Sequence, residues 1–182
     1  MVSLPPEFLP KKFQDLIQDV PDFPKQGIMF RDITPLLAHP QGLAQVTQSF
    51  AAAIQAANLT VDVIVGVESR GFLLGTPLAM HLGCGFVPVR KVGKLPRATF
   101  QAEYALEYGT DRLEIHQDAI TSGQSVLVVD DVIATGGTAN ATASLVKQAG
   151  GNLAGFAFLI ELSFLDGRAN LPQDVSVISL IT

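Results

Sequence analysis

The run VLVVDDVIATGGTANATASLV, Val126 to Val146, decides how this 182-residue chain is read. Val126–Val129 continue a strand begun at Ser125, and the acids Asp130 and Asp131 stand where it emerges. Gly136 and Gly137, flanked by Thr135 and Thr138, then open a helix over Thr138–Gln148 that stops at Gly150–Gly151. A helix N-terminus carries about half a positive charge and up to four unpaired N–H groups. Glycines let a ligand approach that backbone and threonine hydroxyls add donors, so the turn suits a phosphate. Adjacent carboxylates cannot bind phosphate, but they accept hydroxyl hydrogen bonds side by side, as a sugar would offer them. A sugar phosphate satisfies both halves. An ordinary strand–helix turn is the plain alternative, although it needs neither the acid pair nor both threonines. The run is no Walker loop, because GK[ST] does not follow, and the chain holds no GxGxxG.

Working outward, Val61–Val67 (VDVIVGV) is a short β-branched run expected to be a strand covered on both faces. Phe72–Leu82 reads as a helix, Gly85–Arg90 as a strand, and Leu153–Leu162 and Val175–Ile181 as closing strands. Upstream, Leu43, Val46, Phe50 and Ile54 mark an amphipathic helix over Gln41–Ala57. Thr34 before Pro35 looks like an N-cap, and Phe13–Val20 suits a short helix. Residues 91–108 lack clean periodicity and are expected to form a long flexible loop. Strands alternating with helices predict one α/β domain, with a mostly parallel twisted sheet and helices on both faces. In such sheets ligands bind beyond the carboxyl ends of the strands.

Composition narrows the class. Hydrophobic residues are 48% and charged residues 16%, which excludes bulk disorder. The net charge of −5 argues against a protein that tracks nucleic acid. It is an average: residues 69–102 hold Arg70, Arg90, Lys91, Lys94 and Arg97 and no acid, a local +5 against −10 elsewhere. The uncharged stretch Gly71–Val89 approaches membrane-span length, but its glycines, prolines and His81 favour a buried helix and strand. With no signal-like apolar start, the expected location is cytoplasmic. A single cysteine, Cys84, excludes a disulfide framework. His39, His81 and His116 lack metal-ligand spacing; His81 reads as a core residue and Cys84 as a small buried apolar group.

VLVVDDVIATGGT resembles the phosphoribosyl-pyrophosphate (PRPP) binding signature of the type I phosphoribosyltransferases. These enzymes transfer 5-phosphoribosyl from PRPP to a nitrogenous base with magnesium. The resemblance implies that fold, with a small N-terminal hood over residues 1–40. It also implies that Asp130 and Asp131 hold the ribose hydroxyls, while Ala134, Thr135, Gly136, Gly137 and Thr138 cradle the 5-phosphate. In VGVESRGFLLG, Arg70 read alone suits an ion pair with Glu68 or a cap as well as an anion. By resemblance Ser69 and Arg70 hold pyrophosphate, and Glu68 departs mildly from an Asp often found there. A basic run is usually a solvated face, and Arg97 is read so. The cluster Arg90, Lys91 and Lys94 is read as a pyrophosphate-binding segment leading into the lid, because a departing pyrophosphate needs neutralisation.

PDFPKQGIMFRDITPLL, GVESRGF, RKVGKLP, YALEYG, VVDDVIATGGT and LIELSFLDGR together resemble the adenine-using members of that family over about residues 22–167. The resemblance implies adenine and PRPP as substrates, AMP and pyrophosphate as products, Mg²⁺ held mainly through PRPP, and a homodimer. It places adenine between Phe30 and Leu162, with the backbones of Met29 and Arg31 reading its edge. Glu107 and Tyr108 become catalytic candidates on the loop, beside Arg70. A phosphoribosyltransferase for another base, a nucleotide-sensing regulator without turnover and a receiver-like phosphoacceptor share parts of this pattern. The last has no use for TGGT.

Overall fold

The computed structural model describes residues 8–106 and 109–182. Its frame is a seven-stranded sheet. The strands are β3 (Val63–Val67), β4 (Gly85–Lys91), β5 (Thr99–Leu106), β6 (Gly109–His116), β7 (Ser125–Ile133), β8 (Asn152–Glu161) and β9 (Ser176–Ile181), in the spatial order β5-β6-β4-β3-β7-β8-β9. Neighbours from β4 to β9 run parallel, and β5 and β6 add an antiparallel hairpin at one edge. Two further strands, β1 (Gln18–Pro21) and β2 (Met29–Asp32), form a separate antiparallel pair near the N-terminus.

Side-chain alternation explains why helices cover both faces. Ile64, Leu127, Val129, Ala157 and Leu159 point into one core, closed by α3 (Gly42–Ala56) and α4 (Arg70–Leu82) through Val46, Phe50, Leu74 and Leu78. Val63, Val65, Val126, Val128, Phe156 and Phe158 point into the other, closed by α5 (Gly137–Gln148) through Leu145 and Val146. All five residues of β3 are buried, as a strand covered on both faces requires. Gly66 and Gly75 both abut the ring of Phe86 in the first of these layers, and Gly66 also faces the Gly71 carbonyl of α4. A Cβ on either would sit under 3 Å from the ring of Phe86, so glycine lets α4 lie close on β3.

Several expectations change. Phe13–Val20 is not one helix: α1 covers only Lys11–Gln14, and β1 begins at Gln18 because it pairs with β2. Thr34 is the first residue of α2 (Thr34–Ala38) and Ile33 holds the N-cap position; Asp32 Oδ1 accepts the Thr34 N–H at 2.9 Å and its hydroxyl at 2.6 Å in a local turn that leads into the helix. Residues 91–108 are not a loop throughout. Phe100, Ala102 and Tyr104 alternate inward and make 99–106 the strand β5. β7 runs on through Asp130 and Asp131 to Ile133, held by parallel pairing with β8. His81 is exposed on α4, and Cys84 is half-buried against the first core. Among the described residues no helix is long and apolar enough to cross a membrane; 71–89 divides into the body of α4 and most of β4.

Candidate active site

The carboxyl ends of β3, β4 and β7 converge on a cleft of about 320 Å³. β3 delivers Glu68 and Ser69 across a cis peptide, with Arg70 opening α4, while β4 delivers Lys91. β7 delivers Asp130 and Asp131, followed by Ala134, Thr135, Gly136, Gly137 and Thr138 at the start of α5. A larger groove of about 1070 Å³ runs between β5 and the outer face of α5. Its lining includes Glu103 and Lys147 but neither Asp130 nor Asp131, so the smaller cleft is the candidate site.

The glycine–threonine turn is held by a neighbour that the sequence did not advertise. Gly136 is the N-cap of α5 at φ +82°, and a Cβ there would lie 2.3 Å from the Gly167 carbonyl oxygen. A Cβ on Gly167 would in turn lie 2.1 Å from the Ala134 carbonyl oxygen. Asn170 Nδ2 donates to the Thr135 carbonyl at 2.8 Å. The turn therefore sits against a second loop with no room for a side chain between them. Gly167 and Asn170 brace the turn and were not singled out in the sequence; Gly167 lies in LIELSFLDGR, which ends at Arg168, before Asn170.

Asp131 is buried and Asp130 half-buried. Arg70 Nη1 lies 2.9 Å from Asp131 Oδ2, a charge contact without hydrogen-bond alignment, so that oxygen keeps an open lone pair. Asp130 Oδ1 accepts the Asp131 N–H at 2.9 Å. Burial pushes the Asp130 carboxyl well above its ordinary pKa, and the Asp131 charge beside it adds to the rise. Burial raises Asp131 too, with Arg70 opposing it. Such a pair is short of hydrogen-bond donors, as a seat for sugar hydroxyls should be. A Cβ on Gly71 would meet the Val129 carbonyl oxygen at 2.7 Å and Asp130 Oδ1 at 3.1 Å, which explains a glycine directly after Arg70.

Every nominated cation already has an acidic partner. Arg90 Nε donates to Glu68 Oε2 at 3.2 Å, Lys94 Nζ pairs with Glu68 Oε1, and Lys91 Nζ lies 3.0 Å from Asp111. Arg97 turns to Asp118 at the surface. Buried Glu114 shapes the intervening turn, its Oε1 accepting the Lys94 and Leu95 N–H groups at 3.0 and 2.9 Å. Glu68 is withdrawn from water, which alone would raise its pKa. Hydrogen bonds from Lys94, the Lys91 amide and Arg90 outweigh this and hold it below the usual glutamate value.

On the N-terminal side, the β1–β2 pair carries Met29, Phe30 and Arg31. The Phe30 ring centre lies 5.1 Å from the Arg70 guanidinium and 5.1 Å from the Phe23 ring, so Phe30 adjoins the acid pair through Arg70. Arg31 Nε lies 3.1 Å from Asp19. Leu162 follows β8 and packs on the first core, its N–H donating to Ile133 at 3.0 Å. Glu107 and Tyr108 lie outside the described residues.

The phosphoribosyl transferase domain profile matches residues 32–177. The chain belongs to the phosphoribosyltransferase family. It is 57% identical over 169 residues to an adenine phosphoribosyltransferase of Gloeobacter violaceus, covering 93% of this chain and 98% of that one. It is 60% identical over 166 residues to the enzyme of that name from Rippkaea orientalis, covering 91% and 96%. Among solved phosphoribosyltransferases, the adenine phosphoribosyltransferase of Thermoanaerobacter pseudethanolicus superposes with a TM-score of 0.90 at 50% identity, covering 93% of this chain and 97% of that chain. The Saccharomyces cerevisiae enzyme, complexed with an imino-altritol bisphosphate and adenine, gives 0.89 at 44% identity, covering 93% and 96%.

Proposed function

We propose that this phosphoribosyltransferase makes AMP and pyrophosphate from adenine and PRPP, a purine salvage step. One observation carries the reading: the open acid pair of β7 and the glycine–threonine start of α5 line one cleft, with Arg70 reaching from the acids to Phe30. Ribose hydroxyls donate to Asp130 and Asp131, and the 5-phosphate accepts from the amides and hydroxyls of 134–138. Ser69, Arg70, Arg90, Lys91 and Lys94 take the pyrophosphate, whose departing charge is the main electrostatic demand of the reaction.

Adenine stacks on Phe30, with Leu162 against its other face. Met29 and Arg31 have the same parity on β2, so their main-chain groups face one edge of the strand. An N–H and a C=O in register match the acceptor and amino donor of adenine. They mismatch a 6-oxo purine at about 1–3 kcal/mol per buried group. Residues 1–40 act as the base-side hood and 91–108 as the catalytic segment, with Glu107 exchanging a proton with the purine and Tyr108 beside it.

Magnesium requires about six oxygens in near-octahedral array. The described residues bring together no cluster of three potential ligands, while the acid pair offers hard oxygens with one unsatisfied. That donor set fits an ion held mainly by the oxygens of PRPP, with Asp130 and Asp131 in support. When bound, Mg²⁺ neutralises charge on the leaving pyrophosphate. A cytoplasmic homodimer completes the proposal. The test is a pyrophosphate-release assay with PRPP and adenine, hypoxanthine, guanine and xanthine in turn. Release with adenine alone is expected; preference for another base, or none, would overturn the reading.

A further inference from the structure

Glu68 takes no part in the roles above, yet it is the best-connected carboxylate of the cleft. Its Oε2 accepts the Arg90 Nε–H at 3.2 Å and the Lys91 main-chain N–H at 3.0 Å, and its Oε1 pairs with Lys94 Nζ. Only 10% of the side chain is exposed, and it lines the same cleft as the acid pair and the phosphate turn. A guanidinium, an ammonium and a main-chain N–H converging on two oxygens of one anion make the donor set of an oxyanion site. We propose that Glu68 is a positioning residue that stands in for the pyrophosphate group while the cleft is empty, holding Arg90, the Lys91 amide and Lys94 in the array that pyrophosphate then takes over.

The proposal rests on the pyrophosphate reading of those three positions. Without a counter-charge, two side-chain cations drawn to one strand end repel each other and swing into water, and each binding event must gather them again. Asp131 and Asp111 serve Arg70 and Lys91 in the same way, but Glu68 alone holds two side-chain cations and an amide. The arrangement has a cost. The carboxylate competes with pyrophosphate for its donors and so caps the affinity of the product. A structural ion pair whose cations took no part in pyrophosphate binding would free no donor for the ligand when removed.

The experiment is calorimetric titration of magnesium pyrophosphate into the full chain. Glu68→Gln removes the charge and keeps the shape. One negative charge a few ångströms from a ligand with at least two is worth a factor of about ten even at the dielectric of water. Glu68→Gln is therefore expected to bind pyrophosphate about tenfold tighter, with product inhibition strengthened in parallel and kcat reduced. Glu68→Ala should shift the same way, and Glu68→Asp should stay within about twofold of wild type. Unchanged or weaker binding in the Gln and Ala variants overturns the proposal, and so does loss of the folded state in both. Arg90→Ala with Lys94→Ala supplies the separating arm. If that pair binds pyrophosphate as wild type does, the pyrophosphate reading itself fails. If it binds weakly while Glu68→Gln is unchanged, only the stand-in role fails.

Discussion

Gly167→Ala is the sharpest probe of how the phosphate turn is held. The new Cβ would sit 2.1 Å from the Ala134 carbonyl oxygen, whereas ordinary contact begins at 3.4 Å. The two loops must therefore part by about 1.3 Å, and the obstacle is backbone, which cannot rotate aside as a side chain would. The same carbonyl begins the turn whose amides are to bind the 5-phosphate. A displacement of about 1 Å at a positioning element costs on the order of 100-fold in rate. Overpacking of this kind also costs about 1–3 kcal/mol of stability, or roughly 2–12 °C in Tm for a chain this long.

Steady-state rates against PRPP should show kcat/KM lowered about 10- to 100-fold. AMP affinity should fall in parallel and pyrophosphate affinity should stay unchanged, because pyrophosphate does not use the turn. Gly123→Ala is the control. Gly123 has φ +87° and open space around it, in the turn before β7 begins, at the opposite end of that strand from the site. It should lose about 1–2 kcal/mol to left-handed strain and no activity. If Gly167→Ala keeps kcat/KM within twofold, or if Gly123→Ala loses as much activity, the bracing argument is wrong.

Two further outcomes follow from the acid pair and the base side. Asp130 has its pKa raised on folding, so its contribution to stability is full below the unfolded value of about 3.8 and is lost as pH rises through the folded value. Asp130→Asn should accordingly raise Tm by a few degrees at pH 8, with the gain shrinking on acidification, while PRPP affinity falls. A gain that grows toward acid contradicts the desolvation argument. Phe30→Ala should raise KM for adenine roughly 5- to 100-fold, the worth of one aromatic–base stack, with Tm little changed because the ring is half-buried. An unchanged adenine KM removes Phe30 from the base site.

Legibility followed the physics of each segment. The parallel strands were plain because strands buried on both faces must be apolar along their length, as Val63–Val67 is. The hairpin was not. β5 writes its inward face with Phe100, Ala102 and half-buried Tyr104, between exposed Gln101 and Glu103, and one face of an edge strand leaves too faint an alternation to separate from a loop. β6 hides better still, since its buried set of Leu113, Glu114 and Ile115 includes a carboxylate that has folded inward to cap the 94–95 turn. β1 and β2 are four residues each, too short for any period to register.

The site was legible in its parts and misleading in its charge. Counting residues 69–102 gave a local +5, and that figure invites a picture of bare cations awaiting an anion. The folded chain contradicts the picture. Glu68 lies one residue before the window, and Asp111, Asp118 and Asp131 lie beyond it, yet each closes on a cation inside it. Antiparallel pairing of β6 with β4 and β5 carries Asp111, and parallel pairing of β7 with β3 carries Asp131; neither step leaves a mark in a linear charge count. A free phosphoribosyltransferase with this cleft is thus nearly neutral where pyrophosphate is to bind, and its positive potential emerges only as ligands displace the internal acids. Binding of an anion here is an exchange of counter-charges. Its salt dependence should then be shallower than five uncompensated cations would give, because few mobile ions are released when the partners being displaced belong to the protein itself.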